Sequence, residues 1–338
     1  MNNLTFNISD FVLHCMITPD QRTLAIASLV FIYLASFFGN LLVLLVIKLN
    51  EQLHTPMYIF ISTLAVIDLA NSTILIPKML ADIQFDSSSV PYAACMLQMY
   101  VILNLEEMES ILMIFMALDR YVAVLYPLQY PSIITMKFAW AVVLLLPVIT
   151  FLLNTSFVIF ASELSFCQTN ILPYCYCDYA TMVSVACNKD PKYLSLLTNN
   201  TTVFGLVAFA LILFSYARIV LAALKITSAD GKKKALSTTF THLLVVGFFY
   251  FPFLTFFNTC VTHLIVLGLA YIPLLATYIL PGTGVNMTTE VYNTMIIVGN
   301  VVPPMMNPVI YSFRNKEIKS QIYVIFTGKK NIPETLQQ

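Results

Sequence analysis

The sequence predicts an all-α membrane protein: a seven-transmembrane helix bundle with its N-terminus outside and a duplicated sixth-helix segment. Three observations lead there. The 338-residue chain is 59% hydrophobic and only 10% charged, with a mean hydropathy of +0.83; an ordinary soluble domain is about 25% charged. Apolar runs recur near 24–48, 57–83, 92–124, 138–160, 196–224, 236–257 and 291–312. Each approaches or exceeds the roughly 20 residues that cross a bilayer as a helix. Finally, the 17 Lys and Arg are asymmetric. With the N-terminus outside, all but Arg22, Lys78, Lys189 and Lys192 lie inside or at an inner helix end. The positive-inside tendency then demands an odd number of spans.

Residues 1–23 are polar and lack a basic start followed by an apolar core, so they read as an extracellular tail and not as a cleavable signal. Sequons at Asn3 and Asn7 lie on that outer side and are expected to carry glycans. Net charge is zero, which gives no bulk attraction to nucleic acid. Membrane lipid is the expected solvent.

The first span carries "GN" at 39–40, and the second, within "LHTPMYIFISTLAVIDL", carries Asp68 in mid-membrane. The third begins near Cys95, holds "LEEMES" at 105–110 and ends in "MALDRYVAVLYPLQY". Between the fourth and fifth spans lies a long outer segment with Cys167, Cys175, Cys177 and Cys187. Together with Cys95 that makes five outer cysteines in an oxidising compartment, where disulfides are expected and one thiol is left over. Sequence alone leaves their connectivity open.

Before the sixth span comes the basic phrase "KKKALSTTFTHLLVV". Then residues 237–257, "STTFTHLLVVGFFYFPFLTFF", recur as 258–278, "NTCVTHLIVLGLAYIPLLATY". Thr, Thr-His-Leu, Val, Gly, Tyr, Pro and Leu repeat in register, too ordered for chance between apolar helices. One continuous helix over 235–280 would be about 69 Å long, against a hydrocarbon core of about 30 Å. The first copy follows the basic loop directly and is assigned as the span. The second is then an apolar outer extension, re-entrant or interfacial. The opposite assignment exchanges Tyr250 for Tyr271. The seventh span ends in "PMMNPVIYSFRNKEIK" at 304–319.

These phrases together resemble the odorant receptors, which are rhodopsin-like G-protein-coupled receptors. The resemblance covers almost the whole chain, and several details look more like fish members than mammalian ones. It implies a receptor domain at 24–313, an inner tail at 314–338, and residence in the plasma membrane of olfactory neuron cilia. It implies a small odorant bound among the outer helix halves and a stimulatory heterotrimeric G protein as partner. Arg120 is then the inner cation that pairs with Asp119 at rest, with Tyr121 beside it. Asn307 and Pro308 weaken the last helix, since Pro lacks a backbone donor, and Tyr311 lies one turn on. The resemblance also pairs Cys95 with Cys177 and Cys167 with Cys187. Cys175 remains a competing partner, and Cys15 and Cys260 are read as free.

Carboxylates at mid-membrane cost roughly 2.5–3.5 kcal/mol each on insertion scales, so they face a cavity or a partner. Glu106 and Glu109 share a helix face, whereas Glu107 is turned by about 100°. The resemblance packs Glu109 against Asp68. Two carboxylates in one dry site need a cation or a shared proton; a bound sodium ion is one reading and a neutral hydrogen-bonded pair that sets packing is the other, and no cofactor beyond that ion is implied. Glu106 and Glu107 answer to no family-wide requirement. Either one is the counter-ion of a cationic ligand such as an amine, or they extend an interior polar network, or one is protonated and bonded to a neighbour. An acidic odorant finds little anchorage, because few Lys or Arg point inward. The expected ligand site is Tyr100, Leu103, Asn104, Glu106, Glu107, Asn200, Phe204 and Tyr250.

Other classes fit less well. A transporter would show half-repeats, and here only one helix is repeated. An enzyme would need a metal pair or catalytic triad that His54, His242 and His263 do not form. A different small-molecule receptor, or a duplicated variant that binds without signalling, remains open.

Overall fold

The computed structural model describes residues 9–15, 17, 19–85, 88–167, 169–207, parts of 210–221, 289–314 and 316–328. Asn3, Asn7, Tyr250, Cys260, both copies of the repeat, the side chain of Tyr311 and the tail beyond 328 lie outside the described residues. The long helices are α1 (Pro19–Leu49), α2 (Pro56–Phe85), α3 (Tyr92–Leu125) and α5 (Met136–Ser162). A one-turn helix, α4 (Tyr130–Ile133), joins α3 to α5. The outer segment adds α6 (Tyr179–Val185), and α7 (Pro191–Thr201) passes into a π-helical stretch at Thr202–Val207. Near the C-terminus come α8 (Thr289–Arg314) and α9 (Lys316–Thr327).

Among the described residues, three helices are long and apolar enough to cross a membrane: Asp20–Leu49, Pro56–Phe85 and Met136–Ser162. Helix α3 has the length, at about 51 Å for 34 residues. Its four buried or half-buried acids lower its apolarity.

Local chemistry sets several helix starts. Thr135 caps α5 by accepting from Phe138 N at 3.1 Å. Asp190 caps α7 ahead of Pro191, a residue suited to the first helical turn. Asp178 caps α6, accepting from Thr181 N.

Helix α8 contains Pro303, Pro304 and Pro308 in its interior. A proline leaves the carbonyl four residues earlier without its helical donor. The carbonyl that Pro308 orphans belongs to Pro304, and Asn40 Nδ2 of α1 donates to it at 2.8 Å. The one that Pro304 orphans belongs to Asn300, and Asn71 Nδ2 of α2 donates to it at 3.3 Å. Helices α1 and α2 thus repair the breaks that the prolines make. Gly39 permits the approach, since a Cβ there would lie 3.0 Å from the Pro308 ring. With the end of the bundle that carries residues 9–15 named outer and the opposite end inner, the Tyr58 hydroxyl of α2 at the inner end donates to Glu317 of α9.

The outer face departs from an all-α reading. A three-stranded sheet forms in the order β2-β1-β3 from β1 (Asp10–Leu13), β2 (Ser88–Pro91) and β3 (Ile171–Leu172). Strand β1 runs antiparallel to β2 and parallel to β3. Residues 10–13 read as part of a polar tail because four residues are too few to give a strong period-2 signal. Yet Phe11 and Leu13 alternate inward to full burial, beside Cys95, Phe157, Cys177 and Tyr179. The tail is therefore a strap across the outer end of the bundle.

Candidate functional site

Three disulfides fix that outer end. Cys95 at the head of α3 is bonded to Cys177, and Cys167 is bonded to Cys187. Cys15, expected to be free, is bonded to Cys175. The sequence obscured this because Cys15 sits in a segment with no visible structure of its own, so its approach to the loop is purely tertiary. Two covalent ties one residue apart hold the segment "CYCD" at 175–178 over the helices. Its intervening residues then reach the bundle. Asn300 Nδ2 of α8 donates to the Tyr176 hydroxyl at 2.8 Å. Asp178 is buried and acts electrostatically on Glu106. Burial pushes the Asp178 carboxyl up to about 6, although the backbone N–H groups of Thr181, Tyr179 and Ala180 oppose the rise.

Below this ceiling the three glutamates of α3 diverge. Glu107 is 3% exposed and accepts from Asn154 Nδ2 of α5 at 2.9 Å. Asn200 of α7 is also within its reach. Glu106 is turned instead toward Asn300 and Asp178. Glu109, also buried, neighbours Asp68, Glu106 and Asn307. Asp68 is fully buried and accepts from Asn307 Nδ2 at 3.0 and 3.3 Å on its two oxygens. Leu103 and Asn104 are buried beside the glutamates, and Asn104 Nδ2 donates to the Tyr100 carbonyl at 2.6 Å.

Tyr100 itself is committed elsewhere. Its hydroxyl donates to the Phe151 carbonyl of α5 at 2.7 Å, and the two rings lie 5.5 Å apart. Phe204 is half-buried in the π-helical stretch. The sequence reading passed over Asn154, Tyr176, Asp178 and Asn300. A lone Asn in an apolar run, as in "FLLNTSF" or "IIVGNVV", was the available signal.

The polar deficit of this region is one-sided. Asn104 Oδ1, Glu106 Oε1, Glu107 Oε1, Glu109 Oε1 and Asn154 Oδ1 are all buried without a hydrogen-bond partner. The two amide oxygens are acceptors, and so are the three carboxyl oxygens in their ionised form. The amide orientations of Asn104 and Asn154 follow from their Nδ2 groups, which donate to a carbonyl and a carboxylate. The ion pairs Lys78–Asp82, Arg120–Asp119 and Lys192–Glu163 among the described residues do not involve these glutamates. Among the described residues no group of three or more His, Cys, Asp or Glu could hold a metal ion.

At the inner end of α3 the buried atoms without a hydrogen-bond partner are one acceptor and one donor, Asp119 Oδ2 and Arg120 Nε, and they belong to oppositely charged neighbours. Asp119 is fully buried, 3.3 Å from Arg120 Nη2, and accepts from the Tyr130 hydroxyl at 2.8 Å. Tyr130 belongs to the short helix α4 and was not singled out from sequence. Tyr121 is half-buried, its ring 6.2 Å from that of Tyr126. Pro308 packs against Gly39.

The olfactory receptor family model matches residues 29–257 and, separately, 254–329. Olfactory receptor 1E1 of Pan troglodytes is 37% identical over 325 residues, covering 96% of each chain. Olfactory receptor 1E16 of Mus musculus is 34% identical over 324 residues, again covering 96% of each. Olfactory receptor 1 of Rattus norvegicus is 34% identical with the same coverage. With matches over nearly its whole length, the chain belongs to the olfactory receptor family, whose members are multi-pass plasma-membrane receptors that take odorant ligands and couple to G proteins, and are not enzymes.

Proposed function

We propose that this olfactory receptor binds a small amine in its protonated form, beneath the second outer loop. The observation that carries this reading is the excess of acceptors around Glu106 and Glu107. An ammonium group is all donor and positively charged, so it completes an acceptor-rich pocket. A carboxylic acid would add further acceptors and a like charge. Charge-assisted hydrogen bonds in such a site are roughly twice as strong as neutral ones. Leu103, Asn104, Glu106, Glu107, Asn200, Phe204 and Tyr250 are the proposed lining, with Asn154, Asn300 and Tyr176 orienting them. Tyr100 is left out of this set because its hydroxyl is bonded to α5.

The signalling path we propose runs inward. The N-terminus is outside and the partner is a stimulatory G protein of olfactory cilia. Ligand binding shifts the sixth span, and Arg120 leaves Asp119 to line the opened inner cavity. Such a shift requires unequal ligand affinity for the two states. A sodium ion between Asp68 and Glu109 steadies the resting bundle; the fit is supported by two buried carboxylates and an unpartnered Glu109 oxygen. The sixth-span repeat is a tandem duplication, and the two family matches meet at 254–257, beside its internal boundary. Lipid surrounds the bundle, and glycans sit on Asn3 or Asn7.

The test is a cAMP reporter assay in cells expressing the full chain with an olfactory G protein, using amines, alcohols and carboxylic acids of equal chain length. Amines should be at least tenfold more potent. Equal or greater potency of the acids refutes the reading.

A further inference from the structure

We infer that the ligand carries two cationic centres, as in a linear α,ω-diamine, with one ammonium at Glu107 and the other at Glu106. This deepens the amine reading and rests on it. Glu106 and Glu107 are consecutive on a continuous helix, so their side chains leave α3 about 100° apart. Side chains reach a radius of about 5–6 Å from a helix axis, which puts the two carboxylates roughly 8 Å apart.

Each carboxylate has its own surroundings. Glu107 faces α5 and α7 through Asn154 and Asn200. Glu106 faces α8 and the outer loop through Asn300 and Asp178. Each keeps one buried oxygen, Oε1, with no donor. At the Glu107 pole the shortage is compounded by Asn104 Oδ1 and Asn154 Oδ1, on side chains 1% and 0% exposed.

A single ammonium satisfies one pole and leaves the other carboxylate buried without a counter-charge. Uncompensated buried charge is strongly unfavourable. A divalent metal does not solve the problem, since calcium gathers six to eight converging oxygens and these two carboxylates diverge. Two ammonium groups joined by a flexible methylene chain reach both. Asp178 adds negative potential at the Glu106 pole without becoming a ligand, because its carboxylate is engaged in capping α6.

Binding is measured directly, so that signalling competence does not enter. The purified full chain is titrated with 1,5-diaminopentane and with pentylamine, and the rise in melting temperature is followed. A ligand that binds only the folded state raises stability in proportion to the logarithm of its concentration over Kd. The expected result is half-saturation by the diamine at a concentration at least tenfold lower than by pentylamine. Glu106→Gln should bring the diamine down to the monoamine's affinity, and Glu107→Gln, which removes the pole that receives a lone ammonium, should weaken diamine and monoamine alike. Equal affinity for diamine and monoamine in the unaltered chain overturns the two-centre proposal and leaves the amine reading standing. No shift with either amine, at concentrations where pentanol does produce one, overturns both. No shift with any of the three also overturns both.

Discussion

The outer and inner ends of α3 handle buried charge in opposite ways. At the inner end, Asp119 has a hydroxyl from Tyr130 and a guanidinium from Arg120. At the outer half, Glu106, Glu107 and Asn104 have acceptors to spare and no basic partner among the described residues. The fold around them differs to match. The inner region relies on packing and on polar repairs such as Asn40 to the Pro304 carbonyl. The outer region is clamped by three disulfides and a strap of sheet. At the inner end the leftover acceptor, Asp119 Oδ2, and the leftover donor, Arg120 Nε, offset each other in charge. The outer region, tied covalently and left with unpaired acceptors only, is the one we propose receives the ligand.

That contrast can be broken at its strongest point. Cys177→Ser removes the tie between α3 and the loop, and disulfides contribute about 2–4 kcal/mol. The expected outcome is loss of most receptor from the cell surface, measured by labelling intact cells. Next in size is Gly39→Ala, which forces the Pro308 ring away from α1. It should cost about 1–3 kcal/mol, seen as a lower melting temperature in detergent with amine affinity preserved, because the Gly39–Pro308 contact involves neither Glu106 nor Glu107.

A third change sharpens the outer side alone. The Asp178 carboxyl titrates at about 6 in the folded chain, against a usual value of 3.8. Between these values the folded state holds a proton that the unfolded state has released, so stability falls as pH rises from about 4 to 6, by about 3 kcal/mol. Below that window the contribution is fully present, and above it the loss is complete. Asp178→Asn retains the cap and should flatten this part of a melting-temperature profile. The smallest effect belongs to the exposed pair Lys192–Glu163, at 2.6 Å. Lys192→Met should leave both melting temperature and amine affinity unchanged, since exposed pairs contribute little.

How legible these features were in the sequence depended on range. The helices declared themselves through apolar runs, and "LEEMES" stood out because charge in such a run is costly. The three glutamates could be divided between faces by the 100° step alone. What stayed hidden was contact between distant segments. Nothing local in "DFVLHC" announces a strand paired to residues 88–91 and 171–172, or a cysteine bonded 160 residues away. Asn40 and Asn71 could be read as polar residues in apolar helices, but their partners are carbonyls orphaned by prolines more than 200 residues later. Tyr100 was singled out with Leu103 and Asn104 on the approach to the glutamates, and nothing in that run shows that its hydroxyl donates to a carbonyl of α5.

The most direct test of the outer site's role is the affinity of hexylamine for purified wild-type chain and for Glu107→Gln. Glutamine can still accept from Asn154, so the fold should hold and its melting temperature without ligand should be unchanged. A hydrogen bond to a charged group is worth about 1.5–3 kcal/mol, or roughly 10- to 100-fold in affinity. The half-saturating concentration is expected to rise by that factor in the variant. An unchanged affinity would contradict the assignment of Glu107 as the pole that receives the ligand's cation.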